Sequence, residues 1–209
     1  MLTVLHKDND IAVVIKPVGL LSEDGEGSLP ALLREELSVN EVFPIHRLDR
    51  TVGGVMVYAL NKKSAAALSQ SVQNGDMKKR YLAIVHGRPQ ENRGVFEDLL
   101  FKDSKKNKSF VVTRERKGVK KASLEYEVLK SDEDCSLVKI LLHTGRSHQI
   151  RVQFSSRKMP LVGDGKYGAP DNEKNICLFS HSLTFPHPKS GDVVAFSAMP
   201  EGENWEKFI

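Results

Sequence analysis

The stretch Pro44-Ile45-His46-Arg47-Leu48-Asp49-Arg50-Thr51-Val52-Gly53-Gly54 sets one carboxylate between two arginines, in a glycine-punctuated loop ahead of an apolar run. Guanidinium groups beside a carboxyl favour its ionised form, so Asp49 is a candidate nucleophile or base. An Arg–Asp pair capping a turn has the same local pattern, and the loop by itself leaves both readings open.

Two further polar groupings stand out. His143-Thr144-Gly145-Arg146-Ser147-His148-Gln149-Ile150-Arg151 is dense in donors, which are expensive to desolvate without partners; an anion or another polar cluster is expected to face them. In Lys78-Lys79-Arg80-Tyr81-Leu82-Ala83-Ile84-Val85-His86-Gly87 a tyrosine sits in an alternating run beside three basic residues, a pattern shared by ordinary amphipathic core. Seven histidines invite a metal reading, but there is no HExxH, and the pairs His143/His148 and His181/His187 lack the helical i, i+4 spacing. No metal site is expected on these grounds. No GxxxxGK[ST] loop occurs, and the run from Gly163 to Gly168 reads as a turn rather than the opening of a helix, so no nucleotide cofactor is expected.

Charge is unevenly spread. Residues 102–121 hold nine basic and two acidic side chains, a local charge of +7 that leaves −3 for the rest of a chain whose net charge is +4. Such a block can grip a polyanion through phosphate contacts and counterion release, with Lys105, Lys106 and Lys108 at its densest point; a solvated, solubilising face is the alternative.

The elements that must position these groups are mostly strands. Leu2–His6, Ile11–Ile15, Gly54–Leu60, Arg80–His86, Val95–Leu100, Ser109–Thr113, Ser123–Leu129 and Leu137–Leu142 have strand composition. Helices are expected over residues 29–37, capped by Ser28, and over Lys62–Gln73, capped by Asn61 and stopped by Gly75. Many strands with few helices indicate an α+β fold with a largely antiparallel sheet and flanking helices. With 209 residues, 40% hydrophobic and 28% charged, the composition is that of a folded globular chain, and the absence of repeats or linkers favours a single domain over 1–209. Two cysteines outside any CxxC pattern exclude a zinc ribbon and suggest a reducing compartment. Early charges at Lys7, Asp8 and Asp10 interrupt any secretory signal, and the uncharged run Asn175–Pro188 is too short and too broken to span a membrane. A cytoplasmic monomer is expected.

Six motifs in order, Lys16-Pro17-Val18-Gly19-Leu20-Leu21, His46-Arg47-Leu48-Asp49, Arg80-Tyr81-Leu82-Ala83, Thr144 to Val152, Gly163 to Gly168 and His181 to Pro188, resemble the RluA-type branch of the pseudouridine synthases. The resemblance runs from Lys16 to Met199 and covers the catalytic domain, with no S4 RNA-binding domain expected before Lys16. It implies an isomerase that turns uridine in structured RNA, rRNA or tRNA, into pseudouridine without cofactor or metal, in a central basic cleft. It assigns the essential carboxylate to Asp49, a ring packed on the target base to Tyr81, and the ion-pair partner of the carboxylate to Arg151. Arg47 matches the residue that fills the gap left by the flipped nucleotide, as extrusion of a stacked base requires. His46, Arg50, Arg146 and His148 complete the expected RNA contacts with Lys105, Lys106 and Lys108. The chain departs from the family pattern after Asp49: Val52 and Gly53 stand where two hydroxyl side chains are usual, which removes hydrogen bonds that could stiffen the loop.

Overall fold

The computed structural model describes residues 2–209. These residues cluster into two compact units: the first runs through Lys79 and resumes over Phe179–Pro200, and the second comprises Arg80–Leu178 and Glu201–Ile209.

The first unit begins with β1 (Thr3–Lys7) and β2 (Ile11–Lys16), continues through α1 (Leu29–Glu36) and β3 (Phe43–Pro44), and then runs through β4 (Gly53–Ala59) and α2 (Lys62–Asn74). Both helices start where the caps were expected: Ser28 Oγ accepts from the Ala31 amide at 3.3 Å and Asn61 Oδ1 from the Ser64 amide at 2.9 Å, each satisfying one otherwise orphaned donor. Gly75 ends α2 in the left-handed region. β2 and β3 both pair antiparallel with β4. Ile11, Val13, Val55 and Val57 alternate onto one face, against Leu68 of α2.

The second unit takes most of β5 (Lys78–His86), then β6 (Arg93–Asp103), β7 (Lys108–Val112), β8 (Val119–Ser131), β9 (Cys135–Leu142) and α3 (Gln149–Ser155). Its strands lie in the order β5-β9-β8-β6-β7, and the β6–β7, β6–β8 and β8–β9 pairs are antiparallel. Phe154 of α3 meets Phe96 and Tyr126 edge-on, with centroids 5.0 and 5.9 Å away, the tilted geometry that ring quadrupoles favour.

The chain returns to the first unit with β10 (Leu178–Pro186) and β11 (Val193–Ser197) and ends with α4 (Glu203–Glu206). β10 runs parallel to β4 at Phe179–Ser180, unlike the antiparallel pairs described above. Glycine permits the approach: a Cβ on Gly54, whose φ is +123°, would lie 2.4 Å from the Ser180 carbonyl oxygen. The eight strands expected from sequence are present, five of them extended by one to six residues and three displaced by one. Not anticipated were β3, β10, β11, α3 and α4. The six residues Gln149–Phe154 of α3 are all buried, polar Gln149, Arg151 and Gln153 included, so no division into a polar solvent side and an apolar core side gives the helix a period. No helix among the described residues is long and apolar enough to cross a membrane.

Candidate active site

Asp49 sits half-buried on the loop between β3 and β4, and the backbone on either side of it is pinned. Ser22, itself buried, donates from Oγ to the Leu48 carbonyl at 2.9 Å and accepts from the Leu48 amide at 3.2 Å, while the Tyr58 hydroxyl donates to the Ser22 carbonyl. On the far side, the Gly19 amide donates to the Arg50 carbonyl at 2.8 Å and Arg50 Nε donates back to the Gly19 carbonyl at 2.7 Å. Lys16, at the end of β2 and with no exposed surface, points its ammonium at the carbonyls of Pro17, Leu20 and Arg50. Burial pushes this ammonium down to about 8, the Asp49 carboxylate opposing the fall and Arg50 adding to it. The Val52 amide closes the turn on the Asp49 carbonyl at 2.9 Å.

These bonds explain how the loop does without the two missing hydroxyls. Val52 is a buried apolar residue, and a Cβ on Gly53 would stand 3.2 Å from the Lys16 carbonyl oxygen. Fixation comes from Ser22, Gly19 and Lys16. In the sequence, Lys16 and Gly19 stand out only as part of a family motif and Ser22 not at all. The signal that could have found them is a lysine ending an otherwise apolar strand, followed by glycine and serine.

The other residues of this loop divide. His46 turns inward: its Nε2 accepts from the Val57 amide at 3.3 Å, which places the proton on Nδ1, and burial holds the ring neutral, with its value down to about 3. Such an imidazole positions backbone rather than meeting an anion. Arg47 reaches outward, half-exposed, with Nη1 at 3.2 Å from Glu23 Oε2.

In the second unit Tyr81 lies buried on β5 and Arg151 buried on α3. Arg151 makes a fork with Asp164, Nε and Nη2 each donating at 2.7 Å. Both side chains are essentially dry, so the pair combines charge with two parallel hydrogen bonds, the geometry that offsets desolvation best. The guanidinium also lies 5.1 Å from the Tyr167 ring centroid. Tyr167 Oη accepts from the Ser109 amide at 2.8 Å and is 2.9 Å from His148 Nδ1. Burial pushes its hydroxyl up, against the Ser109 bond. Asp164 and Tyr167 thus organise Arg151, His148 and the start of β7. Their run has G-x-G-x-x-G spacing, but it folds as a 3-10 turn, Gly165–Tyr167, rather than opening a phosphate-binding helix.

The donors around residue 143 find their partners in protein. Thr144 Oγ1 and the Arg146 amide both donate to Gln149 Oε1, Gln149 Nε2 donates to the Ser123 carbonyl, and Arg146 Nε donates to the Lys121 carbonyl. The facing polar cluster is therefore the β8 backbone and the 163–168 turn. The lysines divide as well. Lys105 and Lys106 are exposed in the β6–β7 turn, whereas Lys108 donates to the Lys166 carbonyl at 2.6 Å and lies 4.9 Å from the Tyr167 ring centroid. Among the described residues no three His, Cys, Asp or Glu side chains converge as a metal-binding group.

The family model for RNA pseudouridylate synthase matches residues 5–156. An uncharacterized RNA pseudouridine synthase of Bacillus subtilis, YlyB, is 32% identical over 96% of this chain and 70% of its own length. The dual-specificity RNA pseudouridine synthase RluA of Yersinia pestis is 33% identical over 95% of this chain and 98% of its own. In fold, human RNA pseudouridylate synthase domain containing 1 superposes with a TM-score of 0.81 over 96% of this chain and 84% of that one, at 24% identity.

Proposed function

The chain belongs to the RNA pseudouridylate synthase family, isomerases of uridine in RNA, and on that premise we propose that Asp49 is its essential carboxylate, with Arg151 as countercharge and Tyr81 packed against the target base. The reaction is redox-neutral: the N1–C1′ bond breaks, a C5–C1′ bond forms, C5 loses its proton and N1 gains one. Asp49 serves it either by attacking a carbon or by removing a sugar proton. In both roles it must be ionised and fixed, because a small displacement of a reacting group costs orders of magnitude in rate. The observation that carries this reading is the pinning of Leu48 and Arg50, the residues on either side of Asp49, by Ser22, Lys16 and Gly19.

The target base must leave its stack before a side chain can reach it. Arg47 is the candidate to fill the gap, since a planar guanidinium stacks on bases. Its ion pair with Glu23 is half-exposed, and such pairs are worth about 0–1 kcal/mol, so the side chain swings out at little cost. The basic segment 102–121 grips the phosphates, the substrate is a structured rRNA or tRNA, and the chain acts in the cytoplasm as a monomer.

Asp49→Asn tests the assignment, since it preserves shape and removes the anion. Pseudouridine formation, followed by mapping on total RNA, is expected to vanish while RNA affinity stays near that of the unaltered chain. Near-normal turnover in the variant would overturn the role of Asp49. Comparing total RNA with and without the protein identifies the uridine.

A further inference from the structure

The segment that supplies the basic charge also carries apolar surface that the isomerase reading leaves unused. Phe101 of β6 lies opposite Phe110 of β7 and opposite Val119 of β8, and Leu99 lies opposite Val112 and Lys121. Directly opposed residues of antiparallel strands share a face, so these side chains form one outer face. Leu100, Ser109 and Ala122 are buried on the other. An outward face of a sheet is ordinarily polar, yet this one holds two phenylalanines, and Phe110 is 37% exposed. The Arg116 guanidinium lies 4.7 Å from the Phe101 centroid and Lys108 Nζ 5.9 Å from that of Phe110. Beside Phe101 is a depression of about 470 Å³ lined by Leu99, Glu115, Arg116, Val119 and Lys121. Its one acid, Glu115, is 3.7 Å from the Lys121 ammonium.

Aromatic rings bordered by cations match a ligand that is flat, apolar on its faces and anionic along its backbone. An unpaired nucleotide has that chemistry. A duplex offers its phosphates but keeps its base faces stacked inside. We propose that the Phe101–Phe110 face is a stacking platform for an unpaired base of the RNA substrate, with Arg116 and Lys121 beside its phosphate. This rests on the reading that residues 102–121 bind RNA, and it adds a preference for loops over helices.

The experiment measures affinity of the full chain for a stem-loop RNA and for a blunt duplex of equal length, across a salt series, with Phe110→Ser and Phe110→Trp. Stacking on one base is worth about 1–3 kcal/mol, so Phe110→Ser is expected to weaken stem-loop binding roughly tenfold, leave duplex binding unchanged and leave the salt slope unchanged, because every phosphate stays neutralised. Phe110→Trp is expected to keep the affinity, and its indole emission to be quenched by the stem-loop and not by the duplex; the chain's single native tryptophan, Trp205, is buried. Stem-loop affinity equal to wild type in Phe110→Ser, or equal losses on both RNAs, would overturn the platform. So would a wild-type dimer, seen by sedimentation, that Phe110→Ser dissociates while RNA affinity is unchanged, since the face would then bind a second copy. Retained turnover in Asp49→Asn, by contrast, would fail the catalytic assignment and leave the platform standing.

Discussion

In the Asp49 loop the residues on both sides of the carboxylate place their backbone groups on fixed partners, the buried Ser22 and Lys16 and the Gly19 backbone. In residues 102–121, Lys105 and Lys106 stand in solvent, the β6–β7 turn is held by the Asp103 carboxylate accepting two backbone amides, and the outer face shows aromatic rings. One region has given up freedom and the other has kept it. The contrast follows from the two tasks: a reacting carboxylate must be held in one geometry, whereas a surface that takes up phosphates gains from long, solvated side chains that adjust to the backbone they meet. The Arg151 site belongs with the first kind. Its fork with Asp164 is buried and doubly bonded.

If that contrast is right, substitutions in the pinned regions reduce turnover and substitutions in the exposed segment reduce affinity. The largest effect is expected at Arg151. Arg151→Met leaves the Asp164 carboxylate buried without its fork, a class of change that costs about 3–5 kcal/mol, and activity is expected to be lost. Arg151→Lys recovers only part, because an ammonium cannot reproduce two parallel bonds. Arg151→Met combined with Asp164→Leu removes both charges and is expected to regain stability in urea unfolding without regaining activity. Recovery of activity in that double variant would make Arg151 a purely structural residue.

Next come the pins. Ser22→Ala strips the Leu48 amide of its partner in the interior, worth about 1–3 kcal/mol, and turnover is expected to fall roughly tenfold with RNA affinity unchanged. A fall in affinity instead would erase the distinction between the regions. Lys16→Met tests the same loop through pH. Burial lowers the Lys16 value to about 8 from 10.5, so between those values the unfolded chain binds more protons and wild-type stability gains with rising pH. The difference in unfolding free energy, wild type minus Lys16→Met, is therefore expected to grow from pH 8 to pH 10.5. A constant difference would mean that Lys16 is not held in a dry site.

Smaller still is the effect expected for Lys105→Ser with Lys106→Ser. RNA affinity should weaken alike across sequences, and the slope of log affinity against log salt should become shallower by about 0.7–0.9 for each phosphate no longer neutralised. An unchanged slope would reduce these lysines to a solvated face. Lys108→Ser should differ from both, because its ammonium is tied to the Lys166 carbonyl. The smallest effect is expected from chelation. With no converging ligand group among the described residues, exhaustive chelator treatment should leave pseudouridine formation intact once RNA folding is controlled for magnesium; loss of activity restored by zinc would reveal a metal site.

The sequence by itself determined eight of the strands and the two capped helices, because alternation, Ser28, Asn61 and Gly75 are local signals that need no distant partner. It also determined the position of Asp49 between its arginines and the concentration of charge at 102–121. Tertiary structure decided what each polar residue is used for. His46 and Lys108, grouped by sequence with residues that meet RNA, are turned toward the Val57 amide and the Lys166 carbonyl. Asp164 and Tyr167, read as turn residues, organise Arg151 from thirteen and sixteen positions along the chain. Nothing in a linear string distinguishes a lysine that meets solvent from one, such as Lys16, enclosed among backbone carbonyls. The physical reason is that a polar side chain's role depends on whether water or protein supplies its hydrogen bonds, and that is fixed only when distant segments close around it.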